Sequence, residues 1–224
     1  MKRILPIILV GIVLAITNHP HLLVKDNIEA WDFGRPFTFA VFGDPYYVND
    51  NLRTTVQCLN EMQDSIAFAI MVGDYAAQGH RYRYDEYTAL TDSLDIPIIS
   101  LVGNHEVNIP KGIDNYMEIF GPTDDYVDFG DCRFIWMMNT HPSELLDFYD
   151  EYVEYKITDE QLVWLEDALS TAPETRFAFV HCPPAVTGRI TTGGCMGGFG
   201  YNPSYPESNN AAYNELLRDY NVLA

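Results

Sequence analysis

The sequence predicts an α/β fold built on a mainly parallel sheet. Three observations predict it. Apolar, β-branched runs alternate with segments of helical spacing over residues 37–120. A hairpin, a capped helix and one more apolar run follow over residues 125–184. Four of the apolar runs stop in Asp, Asn or His. Strands alternating with helices imply parallel pairing through right-handed crossovers.

The elements read in order. "FTFAVFGD" (37–44) is a strand, and Leu52, Val56, Leu59 and Met62 follow at helical spacing. "SIAFAIMVGD" (65–74) is a second strand, followed by a helix marked by Tyr84, Tyr87, Leu90 and Leu94. "IPIISLVGN" (96–104) is the third strand. Ile113, Tyr116, Met117 and Phe120 give a short helix that Gly121-Pro122 ends, as a helix stop should. "DYVDFGDCRFIWMMN" (125–139) reads as two strands joined at Gly130-Asp131, and residues 143–155 as an acidic, Tyr-rich loop. Thr158 with Gln161 three residues on is a capping box, and Leu162, Leu165 and Leu169 make that helix apolar on one side. "RFAFVHCPP" (176–184) is a further strand, and the Gly/Pro-rich residues 185–206 read as a mobile loop over one face. Ser208 is expected to cap a last helix through Tyr213, Leu216, Leu217 and Tyr220, with the start of a strand at residues 222–224.

The chain has 224 residues, 47% of them hydrophobic, enough for one domain with its own core. Thirty-two acidic against thirteen basic residues give a formal charge of −19. That balance argues against nucleic acid and anionic membrane surfaces as partners. An anionic substrate would need help, most simply from bound cations. Lys2 and Arg3 precede an uncharged apolar run at residues 4–16, the pattern of a secretory signal. The run is short for a membrane span. Residues 1–17 therefore read as a signal peptide or an uncleaved anchor, residues 18–35 as a linker, and residues 36–224 as the domain. An exported protein is expected. Cys58, Cys132, Cys182 and Cys195 fit export without a C-x-x-C pair. Cys182 with Cys195 is the favoured disulfide, against separate buried thiols.

Four strand ends carry the chemistry: Asp44, Asp74, Asn104 with His105, and His181. In open α/β sheets ligands bind at the carboxyl edge of the strands. Three of the four have Gly immediately before the ligand, which allows a tight turn and close backbone approach. Taken singly, Asp and Asn at strand ends are ordinary turn formers; the set together points to a site. Carboxylates, an amide oxygen and imidazoles suit Mn, Fe or Zn better than a soft metal. Two carboxylates a few Å apart repel, and a metal pair bridged by one Asp resolves that. His105 would be free to protonate a leaving alkoxide.

The ordered set Gly43-Asp44, Gly73-Asp74, Gly103-Asn104-His105-Glu106 and His181-Cys182-Pro183-Pro184 resembles the calcineurin-like metallophosphoesterases. "FGP" (120–122) and "ITDEQLVWLEDAL" (157–169) add to the likeness, which runs from about residue 37 to the end. The resemblance implies an α/β/β/α sandwich with two divalent ions, hydrolysing phosphate mono- or diesters through a metal-bridged hydroxide. Carried over by position, Asp44 is a ligand of the first metal and Asp74 the bridge. Asn104 and His181 are ligands of the second, and His105 is the acid.

Two departures from the pattern stand out. The first motif usually reads Asp-x-His, and here it is Asp44-Pro45-Tyr46, so Tyr46 is either a metal ligand or an aromatic lining the site. Ala77 stands where purple acid phosphatases carry a ligating tyrosine and other members an Asp that orients the catalytic His. The family's last motif, Gly-His-x-His, does not occur before "RDYNVLA", which reads as a truncated sequence whose first metal has two sure ligands. A second reading follows: a catalytically weakened relative that binds ligands or partners. His19, His21, His80 and His141 read as surface or supporting residues, with His80 nearest the site. Arg189 is a loop arginine in reach of a phosphate or simply solvated. No Gly-x-Ser-x-Gly elbow or P-loop occurs, which argues against a serine hydrolase and a P-loop NTPase.

Overall fold

The computed structural model describes residues 19–30, 36–109, 111–142, 153–183 and 209–223. The apolar run at 4–16, Pro184, the 185–206 loop with Arg189 and Cys195, and Ser208 lie outside the described residues, and with them the Cys182–Cys195 pairing.

Three strands, β1 (Ala40–Phe42), β2 (Ala69–Met71) and β3 (Ile98–Ser100), pair in parallel in the order β1-β2-β3. The helices between and after them are α2 (Asp50–Glu61), α3 (Arg81–Thr91) and α4 (Gly112–Phe120). A second sheet has the order β4-β5-β8, from β4 (Asp125–Phe129), β5 (Cys132–Trp136) and β8 (Thr175–Phe179). Within it β4 and β5 form the expected hairpin and β8 runs parallel to β5. Leu223 bridges Phe177 in parallel, so the expected strand start does add to this sheet.

Side-chain alternation along the strands sorts the core into layers. Ala69, Met71 and Ile98 pack against Leu52, Val56, Tyr84, Tyr87 and Phe120 of the first helix layer. Their neighbours Phe68, Ile70 and Ile99 face Phe134 and Trp136 across the two sheets. Ile135 and Ala178 turn the other way, toward α5 (Asp159–Ser170) and α6 (Asn210–Asp219). The result is the α/β/β/α sandwich. Edge-to-face rings such as Phe68 on Phe134, 4.9 Å apart, fill the central layer. Each buried ring of this size contributes about 1.5–3 kcal/mol. The strands are thus gripped on both faces, and their carboxyl ends are fixed in space.

Several expectations are corrected. Residues 18–35 are not a plain linker: residues 21–30 form α1 (His21–Ala30). His21 is fully buried, its Nε2 accepting the Ser100 N–H at 3.1 Å on the outer edge of β3. Lys25 reaches both Asp125 oxygens at 2.8 Å. The helix therefore straps the edges of both sheets. The acidic loop is not all loop, because β7 (Val153–Tyr155) pairs antiparallel with β6 (Thr140–Pro142). Met62 and Met117, read as part of apolar stripes, are 50% and 51% exposed. The N-cap position of α6 is Asn209, in the left-handed region at φ 52°, and its side chain makes no capping hydrogen bond. The Thr158–Gln161 capping box is present as expected. Among the described residues no helix is long and apolar enough to cross a membrane.

Candidate metal centre

The four candidate ligands sit just past the strands: Asp44 after β1, Asp74 after β2, Asn104 after β3 and His181 after β8. Asp44 and Asp74 both adopt φ 60°, a backbone state that non-glycine residues enter at a cost and that clusters at functional sites. The turns hold each other. Asp44 N–H donates to Gly73 O at 3.1 Å, and Tyr46 N–H donates to Asp74 O at 2.6 Å. Gly73 lies at φ 97°, and a Cβ there would meet Gly103 Cα and His181 Nδ1, each at 2.7 Å. Only glycine admits that approach.

Acceptors converge at the centre. His181 Nδ1 is 2.6 Å from the Val72 carbonyl, which can only accept, so Nδ1 carries a proton and Nε2 is the nitrogen left to offer a metal. That Nε2 faces Asn104 Oδ1 at 3.0 Å and Asp74 Oδ1 at 3.3 Å. Ligand atoms of Asp44, Asp74 and His181 all lie within 4.8 Å of one another. A proton on Nε2 would satisfy such a cluster with one charge. A divalent cation satisfies it with two and takes all three lone pairs, so the residues fit a hard or borderline metal. Burial alone would push the Asp74 carboxyl up, but hydrogen bonds and charge from His181 and His105 bring it below the usual range. The Asp74 carboxylate is thus held ionised.

Glu106 underlies the centre. It is fully buried, and its Oε2 accepts from Asp74 N–H (2.8 Å) and Gly103 N–H (2.7 Å). Its Oε1 accepts from Tyr75 N–H (2.8 Å) and Ala76 N–H (2.7 Å). Burial, with the Asp74 charge beside it, pushes this carboxyl up to about 7, and the backbone N–H groups oppose that. With two N–H donors on each oxygen, no lone pair is left for a proton, and the geometry fits the carboxylate. The sequence places Glu106 in the motif, but its role is a set of contacts to residues about 30 positions away, which no local pattern reveals.

His105 and Tyr46 sit at the mouth. The His105 N–H donates to Asp74 Oδ1 at 3.0 Å, and its Nε2 is 3.8 Å from Asp74 Oδ2. Asn108 Nδ2 approaches His105 Nδ1 at 3.4 Å. The Tyr46 ring lies 4.2 Å from that of His105. Burial raises the Tyr46 phenol pKa, with Asp74 and Asp44 adding to it. Asn139, absent from the sequence reading, grips the residue after His181: its Nδ2 donates to Cys182 O at 2.5 Å and its Oδ1 accepts Cys182 N–H at 3.2 Å. His80 lies off the centre, where its Nε2 meets Gln78 Oε1 at 3.2 Å.

Residues 37–224 match the calcineurin-like phosphoesterase family profile. The chain belongs to the calcineurin-like phosphoesterases. A probable cyclic nucleotide phosphodiesterase of Rhodopseudomonas palustris is 28% identical to this phosphoesterase over 145 residues, 62% of this chain and 50% of the relative. The purple acid phosphatase PPD1 of yellow lupin (Lupinus luteus) seeds shares its fold at a TM-score of 0.59 and 16% identity, covering 86% of this chain and 37% of the plant protein. The phosphoesterase chain thus spans half the length of its curated relative. Tyr46 and Ala77 lie inside the matched region.

Proposed function

We propose that this chain hydrolyses small phosphate mono- or diesters with two divalent ions, Mn, Fe or Zn, held by Asp44, Asp74, Asn104 and His181. One observation carries the reading: Asp74 Oδ1, Asn104 Oδ1 and His181 Nε2 face one another across 3.0 and 3.3 Å. When bound, such ions polarise the phosphoryl group and lower the pKa of water. The chain supplies the rest. Asp74 stands between the ligands from β1 and those from β3 and β8, the place of a bridge. His105 is held by its own N–H on Asp74 and leaves 22% of its side chain exposed at the mouth. That is the placement of a general acid for the leaving alkoxide. A formal charge of −19 makes the bound cations the natural attraction for an anionic ester and keeps nucleic acid an unfavoured partner.

The test is Asp74→Asn in the full chain, with retained metal counted after dialysis and turnover followed on bis(p-nitrophenyl) phosphate. Metal content and turnover should fall together, turnover by at least ~100-fold. Full turnover in that variant would overturn the reading. Tyr46, standing where a histidine is usual with its ring on His105, favours a second reading, phosphate binding with weak turnover. About two ions per chain supports the enzyme, and none the binder. Export is proposed on residues 1–17 alone; recovery of the chain in the cytosolic fraction overturns it.

A further inference from the structure

We propose, resting on the phosphoesterase reading above, that Tyr46, Tyr47, Tyr82 and Arg83 form a wall that binds a planar aromatic ring carried by the ester. Tyr46, Tyr47 and Tyr82 are 48%, 46% and 53% exposed. Single exposed aromatics are ordinary, whereas contiguous ones mark binding surfaces. Arg83 joins Tyr47 to Tyr82, and Tyr46 directly precedes Tyr47 in the chain. Tyr46 lies on His105 at 4.2 Å, Arg83 sits 5.3 Å over the Tyr47 ring and 4.9 Å over Tyr82, and His80 stacks on Tyr82 at 5.6 Å. One end of the set, Tyr46, thus lies on the proposed acid, and its chain neighbour Tyr47 belongs to the group held by Arg83.

The backbone builds this set deliberately. Tyr46 adopts φ 67°, strained for a bulky residue. It is pinned by its N–H on Asp74 O and by the Ala77 N–H on its own carbonyl at 2.9 Å. Ala77 opens the short 3-10 turn Ala77–Gly79 that leads into α3 and so to Tyr82 and Arg83. The turn at the metal centre and the segment bearing the outer rings are therefore tied together. Arg83 is also paired with Glu86 at 3.0 Å, an exposed pair that contributes little to stability, while its guanidinium lies over the two rings. Rings and guanidinium stack on a π face; a saturated group of equal size gains area and nothing more.

The experiment is calorimetric titration of the Mn-loaded full chain with matched phosphonates, which needs no turnover. Benzylphosphonate should bind roughly 3- to 10-fold more tightly than cyclohexylmethylphosphonate. Methylenephosphonate analogues of adenosine and of ribose form a second pair. Preference in both pairs assigns the wall to any planar ring, preference in the benzyl pair alone to aryl groups, and in the adenosine pair alone to nucleobases. Tyr47→Leu and Tyr82→Leu, both at exposed positions, should bring the preference toward one. No preference in either pair, or a preference untouched in both variants, overturns this inference alone. Failure of every phosphonate to bind overturns the function reading and this inference with it.

Discussion

The backbone N–H of Asp74 donates to Glu106 Oε2 across 2.8 Å, so the proposed bridging carboxylate hangs from a second, fully buried one. Three further N–H groups, of Gly103, Tyr75 and Ala76, share that carboxylate. Glu106→Gln keeps the shape but turns an NH2 toward two N–H donors. Leaving buried donors unsatisfied costs about 1–3 kcal/mol for each group. We expect a loss of about 2–4 kcal/mol in urea denaturation and metal affinity lowered by roughly 10- to 100-fold. Unchanged stability and affinity would show that Asp74 is held by other means.

His105→Ala separates proton donation from metal binding. The backbone N–H on Asp74 survives the substitution, so metal content should stay close to that of the unmodified chain. Turnover of an alkyl phosphate ester should fall by about 100- to 10,000-fold. A nitrophenyl ester, whose leaving group needs no proton, should be affected far less. Equal losses on both esters would remove His105 from the role of acid.

How much of this was legible in the sequence follows from range. Asp44, Asp74 and Asn104 are announced locally, because an apolar run stopping in Gly and a polar side chain is a pattern of adjacent residues, and His181 ends such a run directly after Val180. The layers follow from the same alternation, as Phe68 and Ala69 pointing to different cores show. Three-residue strands such as β6 and β7 are too short to carry a period, so Val153–Tyr155 stayed inside a loop reading. His21 looked like a linker residue because its partner Ser100 is 79 positions away. Glu106 and Asn139 act on backbone atoms, which leave no trace in side-chain spacing.

Asn139 imitates a strand, pairing both backbone groups of Cys182 beside His181. Helix α5 braces the same place, since Gln161 donates to Met138 O at 2.7 Å and Asp124 accepts the Met138 N–H at 2.7 Å. Asn139→Ala should remove both of these buried hydrogen bonds, costing about 1–3 kcal/mol. His181 would lose its anchor, and metal affinity should drop by roughly 10-fold or more. Metal titration against the denaturation midpoint checks this. A variant that loses stability but keeps its metal affinity would confine Asn139 to the fold.

His21 sets a pH limit on α1. Its Nε2 accepts the Ser100 N–H in a site packed by Tyr116, Phe120 and Trp136. A proton there would destroy the acceptor, and burial, with the Lys25 charge adding to it, lowers the pKa from 6.5 to about 3. Below pH 6.5 the unfolded chain therefore takes up a proton that the folded chain refuses until about pH 3. The stabilisation is fully present above 6.5 and declines as the pH falls, by up to about 1.4 kcal/mol per unit. His21→Gln keeps an acceptor for Ser100 and removes the titration. Between pH 7.5 and 5, the unmodified chain should lose roughly 2 kcal/mol more in urea denaturation than the variant. Parallel pH profiles for the two proteins would show that His21 is not the group that ties α1 to the sheet edge.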